Sequence, residues 1–160
     1  MSKIVNVAIV GCGGMGGGHA VAISTGSGQA LWMTDGSKGR ELAPGDTDLK
    51  KKMSLAGTFD IKEERQEWAR KQGFNTYKSF EEILDDPNVD VVLVATPNDS
   101  HKELATRALR AGKHVLCEKP VMMNSKDLED VLKVAQETGK VFYPRQNRRW
   151  DKDYLIMKKL

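Results

Sequence analysis

Apolar positions in this chain fall into short, nearly continuous runs that alternate with charged, helix-compatible segments. Such a run is typical of a strand whose two faces are both covered. Its alternation with helical segments predicts an α/β fold, a doubly wound parallel sheet with helices on both faces. The predicted strands cover residues 4–10, 53–59, 89–95, 114–117 and 141–143.

Helix signals lie between the predicted strands. Ser79 and Ser100 each precede a glutamate by three residues, which is the capping-box pattern of a helix start. Gly73 and Gly139 suit helix C-termini. The predicted helices begin near His19, after a glycine-rich turn, and then cover residues 61–72, 79 onward, 100–112, 125–138 and 153–160.

Residues 26–52 interrupt the alternation. They hold Gly, Ser, Asp, Lys and Pro44 with little periodicity, which predicts an irregular surface insertion. We expect residues 1–144, with this insertion, to form one domain. No strand follows residues 145–160, which are predicted to begin a connecting helix.

Composition narrows the function classes. The 160 residues carry a net charge of +3 that is scattered along the chain, so a nucleic-acid partner is not indicated. Cys12 and Cys117 lack C-x-x-C spacing and the three histidines stand far apart, so no metal site is expected. Without a signal peptide or an apolar stretch of about 20 residues, we expect a cytoplasmic protein with no membrane span.

A glycine-rich segment follows the first predicted strand directly. Gly11-x-Gly13-x-x-Gly16 matches the dinucleotide fingerprint, in which the glycines permit a tight turn, close approach of a pyrophosphate and close packing of a helix. The helix N-terminus would add N–H groups and a positive dipole end. A flexible turn without a ligand is the alternative. The expected cofactor contacts in this segment are Gly11, Cys12, Gly13, Gly14, Met15 and Gly16.

Asp60 follows the second predicted strand, where dinucleotide-binding domains carry an acidic residue. Its carboxylate could accept both hydroxyls of the adenosine ribose and would repel a 2′-phosphate, which favours NAD. Asp60 lies farther from the glycines than the usual distance of about 20 residues, and the insertion accounts for the excess. An ordinary helix N-cap is the alternative for Asp60, and Lys62 and Arg65 leave NADP open.

Two further segments follow predicted strands. The segments Thr96-Pro97-Asn98 and Glu118-Lys119-Pro120 both lie at the carboxyl ends of strands, where doubly wound sheets bind ligands. Lysine can act as the base of an alcohol oxidation where its surroundings disfavour the charged ammonium. Neighbouring side chains of an extended segment point apart, so Glu118 is the poorer candidate. From spacing alone, a surface lysine before a turn proline is the favoured interpretation of Lys119.

Four segments together resemble one family of oxidoreductases. These are residues 11–20, 95–98, 111–120 and 147–151, and the string Ala-Gly-Lys-His-Val followed by Glu-Lys-Pro is the most specific of them. They resemble the Gfo/Idh/MocA family, that of glucose–fructose oxidoreductase and inositol dehydrogenase. The resemblance implies transfer of a hydride between a sugar or polyol carbon and NAD(P).

The resemblance also implies roles for individual residues. Lys119 would assist proton transfer at the substrate hydroxyl, and Pro120 would follow a cis peptide bond. Glu118 would lie near the nicotinamide. Independently of the resemblance, the position of His101 in the first turn of a helix leaves a contact with the same cleft open as an alternative to simple packing. The residues implied to line or border the cleft are Thr96, Pro97, Asn98, Asn147 and Arg148.

The family's members are longer than this chain. Their second domain supplies most of the substrate pocket, the remaining catalytic residues and the usual dimer surface, which leaves a homo-oligomer open for this chain. We therefore expect this chain to bind the cofactor but to lack full turnover, either as one part of a longer protein or as a protein that lost its second half.

Two other functions remain open at this stage. The first is a non-catalytic nucleotide-binding module that requires a partner. The second is an S-adenosylmethionine-dependent methyltransferase, which shares the glycine turn and the acidic residue after the second strand. The Glu-Lys-Pro segment and the absence of a C-terminal antiparallel hairpin in the sequence pattern count against the methyltransferase.

Overall fold

A computed structural model describes residues 3–26 and 51–159 and contains a five-stranded sheet. Every pair of neighbouring strands is parallel, and the strand order is β2-β1-β3-β4-β5. The strands are β1 (Val5–Val10), β2 (Met53–Phe59), β3 (Val91–Val94), β4 (His114–Cys117) and β5 (Phe142–Pro144). The predicted parallel sheet is confirmed.

Six α-helices connect or follow these strands in the described residues. The helices are α1 (Gly14–Thr25), α2 (Glu63–Lys71), α3 (Phe80–Asp85), α4 (His101–Arg110), α5 (Ser125–Thr138) and α6 (Lys152–Met157). Two 3-10 turns, Asn98–Ser100 and Asn147–Trp150, precede α4 and α6. None of the helices described is long and apolar enough to cross a membrane.

The sheet has a hydrophobic core on each face, which is the doubly wound arrangement. Val7 and Ile9 of β1 pack with apolar residues of α1 on one face. Ala8 and Val10 point to the opposite face, where residues of α3, α4 and α5 complete a larger core. The two-residue period of a strand explains why β1 is apolar at every one of these positions.

The strand order reverses at β1, because β2 lies on one side of it and β3 on the other. In parallel sheets this reversal opens a crevice at the carboxyl ends of the strands. Asp60, Thr96 and Glu118 follow the carboxyl ends of β2, β3 and β4 within two residues, and Gly11 follows β1. The topology therefore brings the predicted site segments to one edge.

Two details of the predicted helices are wrong. Helix α1 begins at Gly14, not near His19, because close packing on the strand outweighs the low helix propensity of glycine. Ser100 does not cap α4, because it adopts a helical conformation in the preceding turn. Its hydroxyl oxygen instead lies 2.7 Å from both Thr96 Oγ1 and Pro97 O, and its single O–H can donate to one of them.

Other local predictions are confirmed. Ser79 Oγ accepts a hydrogen bond from the Glu82 N–H at 3.2 Å and so caps α3. Gly73 and Gly139, which follow α2 and α5, have φ of 79° and 65°, which only glycine adopts at little cost. The predicted insertion at 26–52 lies outside the described residues except at its two ends.

Candidate functional site

The glycine loop between β1 and α1 is fixed by two glycines that leave no room for a side chain. Gly11 has φ of 87°, and a Cβ on it would lie 2.7 Å from Ala95 O. A Cβ on Gly16 would lie 1.8 Å from Gly11 O. These two positions correspond to the tight turn and to the close helix–strand contact of the dinucleotide fingerprint.

The next part of the loop is open instead. A Cβ on Gly13 or Gly14 would meet no described atom within 4 Å. Met15 is also exposed at the first turn of α1, where backbone N–H groups lack intrahelical acceptors. A ligand's phosphate could therefore come close to the backbone here, as a bound pyrophosphate requires.

Asp60 joins the end of β2 to the glycine loop. Its Oδ2 accepts a hydrogen bond from the Cys12 N–H at 2.7 Å, and its Oδ1 accepts one from the Lys62 N–H at 2.9 Å. Each carboxylate oxygen can accept a second hydrogen bond. A ribose hydroxyl pair could use these remaining positions, so the donor set fits the adenosine half of a dinucleotide.

The Cys12 side chain contributes little to this surface. It is 1% exposed, and burial raises the pKa of its thiol. The backbone N–H of Cys12 already donates to Asp60 Oδ2, so this residue holds the loop in place.

The Glu118 carboxylate is buried at the carboxyl end of β4 and receives hydrogen bonds from three groups. Oε1 lies 2.7 Å from His19 Nε2 and 3.0 Å from Arg145 Nη1, and Oε2 accepts the Lys119 N–H at 3.1 Å. Burial would raise the pKa of Glu118, but the His19 hydrogen bond and the Arg145 charge outweigh it and hold that pKa below its usual value. The carboxylate is therefore an anion at neutral pH.

His101 connects the two loops that follow β3 and β4. Its Nε2 lies 2.9 Å from Thr96 O, and its Nδ1 lies 3.2 Å from Pro120 O and 3.3 Å from Val121 O. The ring has no exposed surface. The structure thus places His101 behind the cleft, where it supports the backbone of both loops, and not on the cleft surface as expected.

Lys119 is exposed at the same edge of the sheet, while Glu118 points inward, so the two side chains diverge as expected. The Lys119–Pro120 peptide bond is cis, as the resemblance implied. Pro97 and Asn98 are exposed beside it in the loop after β3.

Asn147 and Arg148 lie farther along the chain, in the 3-10 turn after β5. The Arg148 side chain is 76% exposed and donates to Asp151 Oδ2 at 3.1 Å. A shallow depression beside this turn is lined by Gln146, Arg148, Arg149, Asp151, Asp153 and Tyr154. It includes none of the glycine-loop residues or of Glu118, Lys119 and Pro120.

Sequence reasoning missed two residues of the site. His19 of α1 and Arg145 after β5 both contact the Glu118 carboxylate. The contact of Arg145 follows from the register of the strands, because Cys117 of β4 pairs with Pro144 of β5. Glu118 and Arg145 each follow one residue later, so the paired ends of these strands bring them together.

The chain belongs to the Gfo/Idh/MocA oxidoreductase family. The family model for its NAD-binding Rossmann fold matches residues 5–146, which confirms both the resemblance and the predicted NAD-binding class. The methyltransferase alternative has no support from this membership.

Individual relatives agree with this assignment. The chain is 34% identical over 106 residues to myo-inositol 2-dehydrogenase of Thermotoga maritima, and this match covers 65% of the chain and 32% of the relative. It is 41% identical over 81 residues to scyllo-inositol 2-dehydrogenase (NADP(+)) of Bacillus subtilis, with coverages of 51% and 23%. The matches therefore span less than half of either relative.

A solved structure shows the same fold. The NAD-binding protein from Listeria innocua superposes with a TM-score of 0.76 at 43% sequence identity, and the match covers 98% of this chain and 40% of that one.

Proposed function

We propose that this chain is the cofactor-binding part of an NAD(P)-dependent dehydrogenase that acts on a sugar or polyol such as an inositol. The observation that carries the proposal is the meeting of three features at one edge of the sheet. These are the open backbone at Gly13 and Gly14, the Asp60 carboxylate that touches the same loop, and the exposed Lys119.

The proposed cofactor-binding residues form two groups, one for the adenosine half of the dinucleotide and one for the nicotinamide half. The glycine loop and the first turn of α1 would hold the pyrophosphate, and Asp60 would accept hydrogen bonds from the adenosine ribose. At the other end, the loops after β3 and β4 would flank the nicotinamide. The flanking residues would be Thr96, Pro97, Asn98 and Pro120, with Asn147 and Arg148 at the border and the buried Glu118 and His101 in support.

Lys119 would carry the acid–base part of the reaction. The nicotinamide supplies the hydride acceptor when it is bound. As the substrate carbon loses its hydride, Nζ of Lys119 would accept the proton of the hydroxyl on that carbon, and in the reverse direction it would return the proton.

Asp60 favours NAD over NADP. Its carboxylate is fixed by two backbone N–H groups, so it would remain where a 2′-phosphate would have to lie. Lys62 and Arg65 follow Asp60 closely in sequence and are exposed. These two cationic side chains would bind the 2′-phosphate if the chain used NADP, the cofactor named for the Bacillus relative.

The substrate class rests on the inositol dehydrogenases among the relatives. Because those relatives are much longer than the matched segments, most of their substrate pockets lie outside the part they share with this chain. We therefore propose that the chain alone binds cofactor but turns over poorly, and that full activity requires a substrate domain and a homo-oligomer.

The test uses a chimera in which this chain replaces the matching part of the myo-inositol 2-dehydrogenase of Thermotoga maritima. Lys119→Met should lower the kcat for polyol-dependent reduction of NAD⁺ by about 100-fold or more, while NAD⁺ affinity stays unchanged. Lys126→Met, which removes an exposed lysine of α5, is the matched control and should behave as the parent. Unchanged turnover in the Lys119 variant would show that Lys119 does not transfer the proton.

A further inference from the structure

We propose that His19 and Arg145 are positioning residues that act through Glu118 and couple the glycine-loop helix to Lys119. Binding of a nucleotide at the glycine loop would then order the backbone of the Lys119 segment at the other half of the cleft. The inference rests on the proposed function only in requiring a nucleotide at the glycine loop.

Three separate parts of the fold meet at one carboxylate. His19 lies in α1, Arg145 follows β5, and Glu118 follows β4. The His19 contact spans 99 residues of sequence and the Arg145 contact spans 27. The Arg145 N–H also donates to Cys117 O at 2.8 Å, so its backbone and its side chain both hold the end of β4.

His19 lies close to the end of α1 that would bind phosphate. It is five residues past Gly14, a distance of about 7.5 Å along the helix axis. A helix moves largely as a rigid unit over this length, so a small shift of α1 on nucleotide binding would reach Nε2 of His19. From there it would reach Glu118, whose other oxygen holds the Lys119 N–H.

Stability alone does not account for a buried ionic group of this kind. The side chains of Glu118, His19 and Arg145 are 5%, 8% and 16% exposed. Removing charges from water is costly, and apolar side chains of similar volume commonly stabilise a fold as well or better. Apolar contacts are not directional, however, whereas hydrogen bonds fix the orientation of the carboxylate and hence of the Lys119 N–H.

The test measures hydrogen exchange of the Lys119 amide by NMR, with and without saturating ADP, in the whole chain. ADP carries the adenosine and pyrophosphate but no nicotinamide, so it does not extend to the Lys119 segment. ADP should slow exchange of this amide by about threefold or more in the parent. The slowing should be absent in His19→Phe and in Arg145→Met, and it should return in His19→Gln and Arg145→Lys, which keep a donor.

Arg110→Met is the matched control, because it removes an exposed arginine at the far end of α4. ADP affinity is measured calorimetrically on the same samples. If ADP binds and slows the Lys119 amide equally in the parent, His19→Phe and Arg145→Met, the coupling does not pass through Glu118 and the inference is wrong. If ADP binds the parent without any effect on this amide, it is also wrong. Failure of ADP to bind the parent would overturn the proposed function and this inference together.

Discussion

The backbone N–H of Cys12 donates a 2.7 Å hydrogen bond to Oδ2 of Asp60, which connects the glycine loop to the end of β2. The same carboxylate is therefore part of the loop's support and the proposed acceptor for the adenosine ribose. Because its other oxygen is held by the Lys62 N–H, the carboxylate has little freedom to turn away from a bound nucleotide.

Substitutions at two glycines of the loop should affect stability and cofactor binding to different extents. Gly13→Ala should change the free energy of unfolding by less than about 0.5 kcal/mol, because nothing described lies within 4 Å of the added Cβ. It should nevertheless weaken NAD⁺ binding about tenfold or more, since the methyl group would occupy the space of the pyrophosphate. Denaturant unfolding and calorimetry give the two quantities.

Gly16→Ala provides the contrast. Its Cβ would lie 1.8 Å from Gly11 O, so this variant should be destabilised by several times more than Gly13→Ala. If Gly13→Ala binds NAD⁺ normally, the phosphates do not approach this part of the loop.

Removing the Glu118 charge should destabilise the fold in a pH-dependent way. Glu118→Gln should lower the free energy of unfolding at pH 7 by about 2 kcal/mol, because it leaves the Arg145 charge without its partner; the cost is below that of a fully buried pair because Arg145 reaches solvent. Glu67→Gln, at an exposed position of α2, should change little.

The pH dependence follows from the lowered pKa of Glu118 in the fold. A carboxyl whose folded pKa is depressed contributes stability above its unfolded pKa, about 4.3 for glutamate, and loses it as the pH falls through the folded value. The difference between parent and Glu118→Gln should shrink as the pH falls below about 4. A difference that grows as the pH falls from about 4 to about 2 would contradict the ionised state.

The two cysteines should be unreactive in the native chain. Burial, with a smaller effect of the neighbouring Glu118 charge, raises the pKa of Cys117 to about 12, and burial also raises the pKa of Cys12. The thiolate is the reactive form, so an aromatic disulfide reagent at pH 8 should label neither thiol quickly. In denaturant it should label the 2 cysteines of the chain. Fast native labelling of one thiol would show that its segment opens.

Much of the sheet and of the cleft edge could be predicted from the sequence, because both depend on local patterns. Runs such as Val91–Val94 are apolar on both faces of a strand. Because the strands are parallel, the polar residues directly after each run all lie at the same edge of the sheet. The positions of Asp60 and Lys119 directly after two strands were therefore enough to predict that both lie at the same edge of the sheet.

The rest depends on contacts between distant parts of the chain. The start of α1 at Gly14 results from packing of Gly16 against Gly11 O, which outweighs local propensity. His19 and Glu118 meet only because α1 packs on one face of the sheet, and no local pattern signals this contact. For the same reason, the burial of His101 between two loops could not be derived from its place in a first helical turn.

A calorimetric titration of the chain with NAD⁺ and NADP⁺, repeated for Asp60→Ala, tests the central claim most directly. Asp85→Ala, which changes an exposed aspartate of α3, is the matched control. We expect the parent to bind NAD⁺ more tightly than NADP⁺, and we expect Asp60→Ala to weaken NAD⁺ binding and reduce that preference while the control leaves both unchanged. Binding of neither cofactor by the parent, or equal affinities in the parent and Asp60→Ala, would contradict the assignment of this edge of the sheet as the cofactor site.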